Sequence, residues 1–121
     1  MALPAKTISK DIVVGSRIAD LSTAGSCWAV APCRGTVIRA YSVIANAITV
    51  ANSTWSLEIN DVAVTGSTVT VTQSGSAAGD VDSVEPTGAN LVNEGDNIEF
   101  VNAAGSTTTC ITHFYAVIRP F

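Results

Sequence analysis

The sequence is short of charge. Asp, Glu, Lys and Arg make up only 13% of its 121 residues, roughly half the ~25% of an average soluble domain. Six Lys and Arg stand against ten Asp and Glu, for a net charge of −4. No basic cluster exists to neutralise phosphates, which argues against nucleic-acid binding and against an anionic membrane surface. Histidine occurs once, at His113, and no serine sits in a nucleophile motif, so a catalytic triad has no base to build on and an enzyme is disfavoured. No apolar run approaches the ~18 residues of a membrane span, and Met1 to Lys10 holds no apolar stretch of signal-peptide length. Cysteine is scarce and odd in number (Cys27, Cys33, Cys110), which rules out a fully paired disulfide framework and points to reduced thiols. The triplet Asn52-Ser53-Thr54 fits a glycosylation sequon but reads as a turn.

What is abundant is strand-forming. About a third of the chain is Val, Ile or Thr, and turn residues recur every ten or so positions, the spacing of a sandwich or barrel. Trp55, Leu57 and Ile59 alternate with Thr54, Ser56, Glu58 and Asn60. Val69 and Val71 alternate with threonines, and Ile98 and Phe100 with Asn97 and Glu99. Period-2 alternation of this kind marks half-buried strands. Asn60-Asp61 then forms a turn, because both residues tolerate left-handed backbone. About eight strands are expected, near 11–19, 26–31, 35–45, 47–51, 54–60, 62–72 (broken at Gly66), 97–102 and 108–119. The Gly/Ser/Ala-rich stretch 73–90 reads as a long irregular loop. Residues 1–10 read as an extended arm ahead of a single β-sandwich domain over 11–121. The expected core comprises Trp55, Leu57, Ile59, Val69, Val71, Ile98, Phe100 and Phe114.

Two segments are apolar on both faces. Over Gly35 to Ala45, Val37, Tyr41 and Val43 fall on one side, with Ile38, Ala40 and Ile44 on the other. Over Thr108 to Arg119, Cys110, Phe114, Ala116 and Ile118 oppose Ile111, His113, Tyr115 and Val117. Strands covered on both sides need a second layer, and in so small a domain that layer is expected to be another subunit, in a trimer rather than a dimer.

The residues capable of chemistry are few. Cys27, Cys33, Cys110 and His113 are a zinc-like set with poor spacing, and Cys110 and His113 face opposite sides of a regular strand. Asp80, Asp82, Glu85, Glu94 and Asp96 lack a calcium-loop register and read as solvated turns. Trp28, Trp55 and Tyr41 are candidates for a sugar-stacking platform, although Trp55 falls on a core face. No cofactor or metal is expected.

The run Ile18-Ala19-Asp20-Leu21-Ser22-Thr23-Ala24-Gly25 is followed by Gly35-Thr36-Val37-Ile38, Tyr41-Ser42-Val43-Ile44 and Asn46-Ala47-Ile48-Thr49-Val50-Ala51. Then come Ser74-Gly75-Ser76-Ala77-Ala78-Gly79-Asp80-Val81 and Asn93-Glu94-Gly95-Asp96. Across residues 18–119 this set resembles the small head-decoration, or cement, proteins of tailed bacteriophages. The resemblance implies a jelly-roll-like β-sandwich, all-β and antiparallel, that binds the outside of a phage head as a homo-oligomer. The implied partner is the major capsid protein. The implied location is the virion's outer surface, after synthesis in the bacterial cytoplasm. Expected contacts with shell or neighbouring subunit are Leu3, Pro4, Ile8, Trp28, Tyr115 and Phe121. A carbohydrate-binding module, or another oligomeric virion protein such as a fibre tip, is the alternative.

Overall fold

The computed structural model describes residues 10–121; Leu3, Pro4 and Ile8 of the expected arm lie outside the described residues. Ten strands follow one another: β1 (Ile12–Ile18), β2 (Gly25–Val30), β3 (Gly35–Ile44), β4 (Ser53–Ile59), β5 (Val62–Ala63), β6 (Val69–Val71), β7 (Val81–Val84), β8 (Leu91–Val92), β9 (Asn97–Ala104) and β10 (Thr112–Pro120). All pairings are antiparallel, in two sheets. Sheet A runs β1-β10-β3-β7, with β8 also on β3; sheet B runs β2-β9-β4-β5, with β6 also on β4.

The pairing is that of one long hairpin. The first strand pairs with the last, β2 with β9, β3 with β7 and β8, and β4 with β5 and β6. Rolling that hairpin brings β10 beside β3 and β9 beside β4. The result is a jelly roll. Its tip is the two-residue turn Asn60-Asp61, both at positive φ (49° and 67°), the backbone whose twist suits a tight hairpin.

Alternation places the core. Trp55, Leu57 and Ile59 of β4 and Ile98 and Phe100 of β9 point inward from sheet B. They meet Phe114, Ala116 and Ile118 of β10 and Ala40 and Ile44 of β3 from sheet A. Phe100 and Phe114 stack at 5.4 Å between centroids, and Trp55 meets Phe114 edge-on at 5.0 Å. Every expected core residue is buried.

Four expectations need correction. Residues 47–51 are not a strand. Ile48 N–H donates to Ser76 Oγ, Thr107 N–H donates to Thr49 O, and Ala51 N–H donates to Thr49 O at 2.9 Å. Those groups serve neighbouring loops and a three-residue turn centred on Val50 at φ 77°, not a ladder. The stretch 73–90 is not wholly irregular, because its Val81–Val84 forms the edge strand β7. Segment 108–119 becomes strand only at Thr112. Finally, Val37 does not share a face with Tyr41 and Val43. The register slips between Val117 and Ile118, so Ile38 is an extra residue and the pleat changes side. Val37 joins Ala40, Ser42 and Ile44 in the core, while Tyr41 and Val43 turn outward.

Candidate interaction surfaces

The jelly roll has two outer faces and two ends, and the sequence treats each differently. The outer face of sheet A follows from the register in three rows. Arg17, His113, Val43 and Val81 are neighbours across β1, β10, β3 and β7. Gly15, Tyr115, Tyr41 and Ser83 form the second row, and Val13, Val117 and Arg39 the third. The Tyr115 ring lies over Gly15, where an added Cβ would come within 2.7 Å of Cδ1. Arg39 pairs with Glu85 and also donates to Tyr41 Oη. Tyr41, Val43 and Val117 are only half-buried, so nothing in the described residues covers this face.

Sheet B presents an acidic outer face. Glu58 sits directly opposite Glu99 on the neighbouring strand, and the carboxylate oxygens of Glu58, Asp61 and Glu99 lie within 4.8 Å of one another. Like charges so placed oppose the pairing. Ser26 Oγ donates to Glu99 Oε2 at 2.5 Å. Trp28, paired with Glu99, is 55% exposed on the same face.

One end of the sandwich is almost free of charge. Loops 19–24, 45–52, 72–80 and 105–111 carry only Asp20 and Asp80, and each carboxylate is used in a turn. Asp20 accepts from Ser22 N at 2.9 Å, Ser22 Oγ at 2.7 Å and Cys110 N at 3.3 Å. The Ser22 hydroxyl, then its amide, chiefly hold that carboxyl below the ordinary aspartate range. Asp80 Oδ2 accepts from Ala77 N. A cleft of about 170 Å³ opens here beside β6 and β7, lined by Ile44, Val71, Thr72, Ser74, Asp80, Val81 and Asp82. Burial, and then the charge of Asp80, push Asp82 upward.

The opposite end gathers charge and exposed apolar side chains. β1 starts there, with Ile12 opposite Ile118. Arg119 Nε and Nη2 donate to Asp11 at 3.0 and 2.9 Å. Arg34 lies 5.2 Å from the centroid of the Phe121 ring, which is 72% exposed. Leu91, Val30 and Val62 are exposed at the same end.

Of the expected contact residues, then, Trp28 and Tyr115 lie on opposite faces and Phe121 at an end. The sugar platform is not assembled: Trp55 is in the core, Trp28 on sheet B and Tyr41 on sheet A. Cys27 faces the core from β2, Cys110 is buried in a loop and His113 faces outward from β10. The five acids Asp80, Asp82, Glu85, Glu94 and Asp96 are spread between the two ends. Val30 was findable two residues beyond Trp28 on an alternating strand; Leu91, on a two-residue strand, left no sequence signal.

No protein-family model matches the sequence, and no curated protein matches it. Among solved structures the fold is similar to a chain described as "Cyanophage Pam1 capsid asymmetric unit". The TM-score is 0.52 at 16% identity, over 99% of this chain and 93% of that one.

Proposed function

We propose that this protein is a non-enzymatic structural component of a phage virion, and specifically a decoration protein. It binds the outer surface of the head and braces contacts between major capsid subunits. The observation that carries this reading is the gathering of Val30, Leu91 and Phe121, all exposed, at the end where β1 begins. Exposed apolar side chains of this size, set among charges, suit a protein surface rather than solvent. The likeness in fold to a chain of a cyanophage capsid unit, over nearly the whole of both chains, supports it. So does the sequence resemblance to head-decoration proteins. Residues 1–10 act as an arm carrying Leu3, Pro4 and Ile8 to a neighbouring subunit, and residues 11–121 act as the sandwich domain. Burying Leu3 and Ile8 contributes roughly 1.5–3 kcal/mol each before ordering costs, and an oligomer, read as a trimer, engages several arms at once.

The test is co-sedimentation with shells assembled from the major capsid protein encoded alongside this chain. The full chain sediments with the shells and raises their melting temperature. Deleting residues 1–10, or substituting Phe121→Asp, leaves the sandwich folded and weakens both effects. A full chain that stays in the supernatant sinks the decoration reading; a deletion variant that binds as well as the full chain removes the arm from it.

A further inference from the structure

The outer face of sheet A and the β6–β7 edge carry opposite charge, and both lie toward the end that is otherwise poor in charge. On the face, Arg39 is already paired with Glu85, but Arg17 has no acidic partner among the described residues. It stands beside His113, with Val43 and Val81 completing the row and the two tyrosines beside them. Among the described residues the carboxylates that serve this face are Glu85, paired with Arg39, and Asp11, paired with Arg119. At the edge, Asp80 and Asp82 line the 170 Å³ cleft together with Thr72 and Ser74. That volume is well below the ~300–1,000 Å³ of small-molecule pockets. It is roomy enough for a guanidinium head, and two carboxylates with two hydroxyls are the acceptors such a fork engages.

Resting on the oligomeric reading above, we infer that sheet A's outer face docks a second copy of this chain, whose β6–β7 edge receives Arg17 in the cleft lined by Asp80 and Asp82. The contact is heterologous, since one copy gives a face and the next gives an edge. A sheet's face and its edge stand roughly at right angles. Repeating the contact therefore turns the assembly back on itself into a small ring, whereas face-to-face contact through opposite sides of the sandwich would run on as a fibre. The aromatic and valine rows supply the apolar part of the interface. The end bearing Phe121 and the arm stays free for the shell.

Sedimentation of the full chain over a range of concentrations tests this, using R17E, D80R and the double variant R17E/D80R. Each single variant is expected to associate at least roughly tenfold more weakly, and the double variant to recover, because the opposed charges have exchanged places. Asp80→Arg also removes the acceptor for Ala77 N. Thr72→Arg, at the same mouth with that turn intact, is therefore included and should weaken association likewise. Circular dichroism establishes that each variant is folded. Single variants that assemble like the parent, or a double variant that does not recover, overturn the interface. So does R17E that keeps its oligomer but loses shells, since the face then belongs to the shell. A parent chain that binds shells as a monomer overturns the interface and leaves the decoration reading standing. A parent whose oligomer depends on Arg17 but ignores shells supports the interface and sinks decoration instead.

Discussion

Trp55 Nε1 donates a hydrogen bond of 3.1 Å to Ser42 Oγ across the middle of the sandwich. Both residues are fully buried, one on each sheet, so the bond ties β4 to β3 across the core. Among the described residues Ser42 Oγ is the acceptor of the indole N–H, and a buried donor without a partner costs about 1–3 kcal/mol. Ser42→Ala should therefore lower stability by about that amount, read from the midpoint of urea unfolding. Trp55→Phe should cost at least as much, since it also loses area against Phe114. If Ser42→Ala unfolds at the parental midpoint, the bond contributes nothing net.

Gly105 and Gly75 both have positive φ, at 140° and 72°, but their surroundings differ. A Cβ on Gly105 would lie 2.0 Å from the carbonyl oxygen of Asn52, whereas one on Gly75 would meet nothing within 4 Å. Gly75→Ala carries only the left-handed penalty of ~1–2 kcal/mol. Gly105→Ala must also displace backbone that leads into β4, and should cost more than ~4 kcal/mol. Thermal unfolding of the two variants separates them, and equal shifts would contradict the close approach.

Asp61 completes the tip of the hairpin and adds a third carboxylate to Glu58 and Glu99. Asn tolerates the same left-handed backbone, so Asp61→Asn isolates the charge. The variant should melt higher than the parent at low ionic strength, by an amount worth a few tenths of a kcal/mol. Salt at ~1 M should erase the difference, since screening then acts within about 3 Å. A gain that survives high salt would assign the effect to the backbone instead.

Asp20 ties the loop after β1 to Cys110, and its carboxyl is held below the ordinary aspartate value of 3.8. A depressed acid contributes stability that is fully present above its unfolded value and lost as pH falls through its folded one. Asp20→Asn should thus melt below the parent at neutral pH, and the two curves should converge as pH is taken down through 3.8 and beyond. Melting temperatures that differ by the same margin at all pH values would show that charge plays no part.

The strands legible in the sequence were those with one wet face and one dry face. β4 and β9 alternate without interruption, and the large side chains they send inward sit where alternation put them. β7 was hidden because an edge strand needs only one partner. Val81-Asp82-Ser83-Val84 pairs with β3 through its backbone, with little apolar area to advertise it. Residues 47–51 misled for the opposite reason. Ile48 and Val50 alternate as a strand would, yet Ile48 plugs the end of the core while Val50 tops a turn at 76% exposure. The bulge at Ile38 has no signature in composition, and it moved Val37 to the face opposite Tyr41. Contact surfaces were less legible still. Trp28 and Phe121 are exposed, but the rows across sheet A depend on a register that only four paired strands define.

The central position of β10 governs how the protein comes to exist at all. In sheet A this strand lies between β1 and β3, so the two halves of that sheet have no contact ladder until residues 112–120 arrive. The Asn60-Asp61 hairpin joins neighbouring segments of the chain, whereas the β4–β9 and β1–β10 ladders join distant ones. Sheet A stays open, with Ile12, Val14, Val37 and Ile44 facing water, until β10 docks between β1 and β3. Closing sheet A is therefore a long-range step of folding, because it joins residues near 12–18 to residues near 112–118. A chain that has not yet docked β10 is a half-made sandwich with an unpaired β3 edge. That is a state in which a chaperone, rather than a neighbouring copy, is the safe partner.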